Sequence, residues 1–152
     1  MRSTTSIALR YYAAADADFV RALADEAFSE YDGGGRSSGV HAVAMASAAH
    51  TIVAERSSRP LGFVTIEAGE GGAHIGAIAV VRSERGRGVG ARLLRAAEGL
   101  ARKLGARSVT LETGEANLAA LDMFVRAGYR IERRIPRYYR TGYDALVLRR
   151  DL

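Results

Sequence analysis

Apolar positions along this chain fall into two rhythms. Between 51 and 81 they form runs of strand length, "TIVAER" (51–56), "LGFVTIEAG" (61–69) and "AHIGAIAVV" (73–81), separated by turn-forming clusters at "SSRP" and "GEGG". The first two read as an antiparallel pair and the third as an apolar strand that follows. From Val89 to Leu104 the period lengthens. Val89, Leu93, Leu94, Ala97 and Leu100 share an inward face, arginines alternate outside, and Gly105 stands where a helix would be capped. "RSVTLET" (107–113) predicts a strand, "NLAALDMFVRAGY" (117–129) a helix ended by Gly128, and "YRIERRI" with "YDALVLRR" a closing pair of strands around "PRYYRTG". Upstream, "TTSIALRYY" (4–12) predicts an opening strand. Asp16 is placed to cap a helix whose Phe19, Leu23, Ala27 and Phe28 share one face. "SEYDGGGRSSG" (29–39) reads as a loop and "VHAVAMASAAH" (40–50) as a second short helix. The order is that of an α+β chain with one strand–helix–strand unit at its centre, and no repeat or boundary divides it, so one domain over 1–152 is expected.

Composition narrows the function classes. The chain of 152 residues contains no cysteine, which excludes disulfides, thiol catalysis and cysteine metal sites. No apolar run reaches the length of a membrane span, and the first residues lack the pattern of a signal peptide, so a cytoplasmic location is expected. The formal net charge is +5 and Lys103 is the only lysine. Arginine suits forked contacts with phosphate or carboxylate, whether in nucleic acid, a nucleotide-bearing cofactor or an acidic partner; codon bias accounts for the same composition.

The densest signal is "RGRGVG" (85–90), set between an apolar strand and a helix. Gly86, Gly88 and Ala91 satisfy the dinucleotide pattern G-x-G-x-x-[GA], and Glu112 stands where a ribose-binding acid would be. Against that reading, "RSER" separates the strand from the first glycine, and too little chain follows to complete a nicotinamide half. A P-loop would need a Gly-Lys-Ser/Thr ending, which is absent. A bare turn without ligand stays open. The remaining reading is a diphosphate cradle, in which backbone N–H groups at a helix N-terminus face an anion.

Arg85, Gly86, Arg87, Gly88, Val89 and Gly90 match the [RQ]-x-x-G-x-[GA] acyl-CoA loop of the GNAT superfamily of N-acetyltransferases, and the likeness continues through "NLAALDMFVRAGY" to the closing hairpin. The chain resembles that family well over 50–152 and in outline over 1–49. Within it the chain is similar to ribosomal-protein alanine and N-terminal acetyltransferases. The resemblance implies a mixed sheet of about seven strands, antiparallel in its N-terminal half, flanked by about four helices. It implies acetyl-CoA, whose pantetheine would pair with the main chain near Ile78, Ala79 and Val80. The diphosphate would meet amides from Gly86 to Ala91, with Asn117, Ala120 and Phe124 along the pantetheine arm. Expected partners are an amine acceptor, peptide or small molecule, with no nucleic acid and no membrane; a homodimer is compatible with it.

Acetyl transfer to an amine needs a neutral nucleophile. An α-amine of pKa about 7.7–8.0 is roughly a tenth neutral at pH 7, whereas a lysine at about 10.4 is neutral less than once in a thousand. Two residues match the family's base positions: Glu112, five before Asn117, and His74, five before Ala79. The family's usual general acid, a tyrosine, is replaced by Phe124. Tyr138 and Tyr139 are expected to wall the acceptor site, with Arg133, Arg134, Arg137 and Arg140 around them; Tyr31, with Glu26 and Glu30, flanks the N-terminal loop on the acceptor side. A peptide or protein amine is the first expectation, a small-molecule amine the second, and a non-catalytic acyl-CoA-binding module the third.

Overall fold

The computed structural model describes residues 6–32, 50–69 and 71–152, with the backbone alone for 30–32. Seven strands, β1 (Ala8–Tyr11), β2 (His50–Arg56), β3 (Arg59–Gly69), β4 (Gly71–Val80), β5 (Ala106–Gly114), β6 (Arg130–Ile135) and β7 (Ala145–Asp151), form one sheet in the order β1-β2-β3-β4-β5-β7-β6. Every neighbouring pair is antiparallel except β4 and β5, which run parallel. The expected seven-stranded mixed sheet is therefore present. The described residues hold three α-helices, α1 (Ala17–Asp32), α2 (Val89–Lys103) and α3 (Leu118–Arg126). The helix expected over 40–50 lies outside the described residues, save that His50 opens β2.

Alternation along the strands divides the core between the two faces of the sheet. On one face Val64, Ile66, Val109 and Leu148 pack against Val89, Leu93, Leu94 and Ala97 of α2 and Phe124 of α3. On the other, Val53, Phe63, Ala77 and Ala79 pack against Val20, Leu23 and Ala24 of α1. Burying each valine, leucine, isoleucine or phenylalanine among them contributes about 1.5–3 kcal/mol.

β4 changes face partway along. Thr65 pairs with Ala77 but Ile66 with Ile75, which leaves Gly76 as a bulge. Ile75 accordingly belongs to the α2 core and Ala77, two residues on, to the α1 core. Ahead of the bulge, His74 therefore faces the α1 side; beyond it, Ile78 and Val80 face α2.

Two local expectations need revision. Asp16 does not cap α1: its carboxylate accepts the Ala13 N–H at 2.8 Å and two Arg10 N–H bonds at 2.8 Å, closing a 3-10 turn ahead of the helix. The α2 face is not wholly apolar either. Glu98 is 1% exposed, and its carboxylate accepts from Tyr129 Oη at 2.8 Å and from Arg150 at 2.7 Å. This buried group ties α2 to β7 and to the turn after α3.

Thr51 and Thr65 oppose each other across β2 and β3, buried, with hydroxyls that have no partner among the described residues. Each desolvated hydroxyl costs about 1–3 kcal/mol. Replacing both by valine should leave stability unchanged or raise it by about 1 kcal/mol in urea unfolding. A loss above about 2 kcal/mol would mean that the hydroxyls are bonded in solution.

Candidate active site

The parallel ladder between β4 and β5 is short. It joins Gly71 to Ala106, Ala73 to Val109 and His74 to Thr110, and then ends. Beyond it β4 keeps β3 as its partner up to Val80, and β5 keeps β7 up to Gly114, but the two no longer pair with each other. From Ile75 to Val80 one edge of β4 thus has no strand beside it among the described residues. Ile78, Ala79 and Val80 all lie on this stretch, their side chains packed into the two cores while the backbone edge faces the gap.

His74 and Glu112 meet at the fork. Both face the α1 side, and His74 Nε2 stands 2.5 Å from Glu112 Oε2. The two residues singled out as separate candidate bases are one hydrogen-bonded pair. The bond to Glu112 raises the His74 pKa, burial opposes it, and the charges of Glu112 and Glu67 add to it. Conversely, the bond to His74 holds the Glu112 carboxyl below its usual range against the opposing effect of burial, with help from Arg133. Both shifts favour the imidazolium beside the carboxylate.

The glycine loop leaves β4 through a 3-10 turn at Arg82–Glu84 and delivers the chain to α2. Gly86 and Gly88 have φ of +75° and +86°, in the left-handed region that favours glycine, and Gly88 precedes the helix without a side-chain cap. The Arg92 N–H closes the first turn on Gly88 O at 3.1 Å, so the N–H groups of Val89, Gly90 and Ala91 have no acceptor within the helix. Gly90 has a different reason to be glycine: a Cβ there would meet Met123 Sδ at 2.8 Å, so it permits the approach of α3. Arg85 folds back, its Nε donating to Val80 O at 3.0 Å. Arg87 lies 3.6 Å from buried Glu84, which also holds Arg56 of β2.

On the far side of the gap Asn117 caps α3, its side-chain oxygen accepting the Ala120 N–H at 3.3 Å. Its amide nitrogen is the group left to donate. Ala120 is half-buried against the α2-side core, and Phe124 is buried, its ring edge-on to Tyr129 at 5.8 Å. Tyr129 turns its hydroxyl to Glu98 inside the core, where burial pushes its pKa far up, so it does not serve the site.

The hairpin between β6 and β7 brings Tyr138 close enough for Glu112 to add to the burial that raises its hydroxyl pKa. Tyr138 is 48% exposed and stacks edge-on with Tyr139, ring centres 4.9 Å apart. Arg134 pairs with Glu115 at 3.3 Å and Arg137 donates its backbone N–H to Asp144, so part of the arginine ring is engaged in holding the hairpin. Glu26 lies 3.6 Å from Arg82. The side chains of Glu30 and Tyr31 lie outside the described residues.

Sequence reading missed the Glu84 and Glu98 ties and the meeting of His74 with Glu112. An acid amid apolar positions on α2 was the available signal for Glu98; register between distant strands has none.

Comparison with known proteins agrees with this geometry. The model of a family described as acetyltransferase (GNAT) matches residues 12–129. An uncharacterized N-acetyltransferase of Methanocaldococcus jannaschii is 32% identical over 97 residues, 63% of this chain and 62% of that protein. N-alpha-acetyltransferase 30 of Schizosaccharomyces pombe is 35% identical over 72 residues, 47% of this chain and 48% of that protein. The matched stretch thus spans 62% of the first relative and 48% of the second. The crystal structure of Ard1 from Thermoplasma volcanium superposes with a TM-score of 0.84 at 23% identity, covering 96% of this chain and 97% of that one.

The ion pair has a testable pH signature. His74 has a raised folded pKa, so its contribution is complete below the ordinary value of 6.5 and lost as pH rises through the folded value. Glu112 has a lowered one, so its contribution is complete above the ordinary value of 4.5 and lost as pH falls through the folded value. A double-mutant cycle of His74→Gln and Glu112→Gln, followed by urea unfolding, should show its largest coupling between these two values and decline on both sides. A coupling independent of pH would contradict the ion pair.

Proposed function

Because this chain belongs to the acetyltransferase (GNAT) family, we propose that it moves an acetyl group from acetyl-CoA to the α-amine of a peptide or protein, by direct attack with both substrates bound. The observation that carries the choice of acceptor is the His74–Glu112 pair at the fork, beside the Tyr138–Tyr139 hairpin. Its carboxylate is held low, which makes it a weak base. A weak base suits an amine that is already partly neutral, as an α-amine is, better than a lysine.

The chain's groups fit acetyl-CoA. The uncapped first turn of α2, opened by Gly86 and Gly88, offers N–H donors to a diphosphate, and the helix dipole adds about 0.3–1 kcal/mol. The edge of β4 from Ile75 to Val80, which has no strand beside it among the described residues and on which Val80 O already accepts from Arg85, can pair with the amides of the pantetheine arm as another strand would, with the Asn117 amide nitrogen across the gap. When bound, acetyl-CoA supplies a thioester carbonyl open to attack.

At the fork the Glu112 carboxylate orients the neutral acceptor amine, whose lone pair attacks the thioester carbonyl, and the pair receives the one proton released as the C–N bond forms and the C–S bond breaks. His74 holds that carboxylate in place and keeps it ionised. Phe124 has no proton to give the departing sulfur. A thiol of ordinary pKa about 8.5 leaves as thiolate without one, so the reading requires no replacement acid. Tyr138 and Tyr139 form the wall along which the peptide runs.

The test is mass spectrometry after incubation with acetyl-CoA and a pool of free-N-terminus peptides, N-blocked lysine peptides, polyamines and aminoglycosides. Mass gain on the α-amine peptides is expected, with Glu112→Gln slowing it about 10²–10⁴-fold. Gain confined to polyamines or aminoglycosides would transfer the reading to a small-molecule acceptor. Binding of acetyl-CoA without transfer to any acceptor would leave a non-catalytic module.

A further inference from the structure

A second feature lies beyond the fork, on the same face as the His74–Glu112 pair and away from the glycine loop. An open cavity of about 440 Å³ is lined there by Glu67 and Gly69 of β3, Gly72 and His74 of β4, and Ser108 and Thr110 of β5. That volume falls within the range of small-ligand sites. It exists because two facing positions lack side chains: Gly69 pairs with Gly72, and a Cβ at Gly69 would have nothing within 4 Å.

Much of the lining is apolar, and its polar groups are the Glu67 carboxylate, the His74 ring and the hydroxyls of Ser108 and Thr110. Glu67 contributes a carboxylate. Thr110 donates its own hydroxyl to Ala73 O at 3.4 Å, which leaves its lone pairs available. The His74 charge is balanced by Glu112, and no arginine or lysine is part of the lining among the described residues. A carboxylate or phosphate placed here would face Glu67, and an apolar group would strip it of water without return. A hydroxyl or an ammonium would satisfy it.

Position adds the link to catalysis. Glu67 lies directly opposite His74 in the β3–β4 ladder, and His74 opposite Thr110 in the β4–β5 ladder. The cavity therefore begins one strand from the pair that receives the acceptor amine, a distance of about 5 Å. Atoms a few bonds from a reacting amine would reach it.

Building on the reading of an α-amine acceptor, we propose that this cavity receives the first side chain of the peptide and selects one that donates a hydrogen bond, a hydroxyl or an ammonium, with Glu67 as its anchor. Gly69 and Gly72 keep the space open. Specificity is thus set on the strand floor, whereas the tyrosine hairpin contacts the peptide beyond its first residue.

The experiment measures kcat/KM with acetyl-CoA for four peptides identical after the first residue, which is serine, lysine, leucine or aspartate. The intact chain is compared with Glu67→Gln and Gly69→Val. The unaltered chain should favour serine and lysine over leucine and aspartate by about tenfold or more, the scale of one charge-assisted hydrogen bond. Glu67→Gln should reduce the lysine preference about tenfold. Gly69→Val should penalise lysine more than serine, and the KM for acetyl-CoA should stay unchanged in both variants. A loss shared equally by all four peptides in Glu67→Gln would assign its effect to His74 and overturn the subsite. Transfer to peptides in an order that neither variant alters would overturn it as well. No transfer to any peptide by the unaltered chain would overturn the α-amine reading and the subsite together.

Discussion

The site depends on a ladder that stops. Parallel strands pair evenly along their length when nothing interferes, and a full β4–β5 ladder would leave no gap and no free edge. Here pairing ends at His74 and Thr110, and the candidate site is arranged around that point. The free edge of β4 leads to the glycine loop, the His74–Glu112 pair sits at the fork, and the Glu67 cavity lies behind it. The Gly76 bulge turns β4 over just past the fork, so that His74 faces one side and Ile78 and Val80 the other.

An open fork inside a sheet needs support from outside it. α2 supplies this by packing across β3, β4 and β5, and its position is fixed at one end by the Gly90–Met123 contact with α3 and further along by Glu98. A buried carboxylate adds little net stability compared with an apolar residue, yet losing either of its partners is costly. Such a group acts chiefly on geometry. It keeps the helix in one register relative to β7, and with it the N–H groups at the mouth of the loop. Glu84 has a comparable place at the loop itself, where one buried acid holds Arg56 of β2 and lies within reach of Arg87.

Much of this could be read along the chain. The strands from 51 to 81, the helix from Val89 and the two closing strands follow from apolar period and turn residues, because each is decided by neighbours in sequence. The glycine loop was legible for the same reason: Gly86 and Gly88 serve a local backbone need. Gly90 belongs to the same motif, although what a Cβ there would meet is Met123 of a neighbouring helix some thirty positions away. Asp16 was misassigned because Arg10, drawn close by β1, competes for its carboxylate. His74 and Glu112 could each be singled out, but that they touch depends on the β4–β5 register, which periodicity does not encode. Their contact converts two candidate bases into one hydrogen-bonded pair. The cavity is not legible in the sequence because Gly69 and Gly72, which leave it open, read as turn formers.

The central claim is that His74 and Glu112 share an ionic hydrogen bond at the fork. Nuclear magnetic resonance of the imidazole ring of His74 tests it most directly, with His74→Gln used to assign the signal among the three histidines of the chain. The account predicts that His74 titrates above 6.5 and that Glu112→Gln brings it down toward or below that value. The same midpoint in both proteins would contradict the pair, and with it the account of how this site handles a proton.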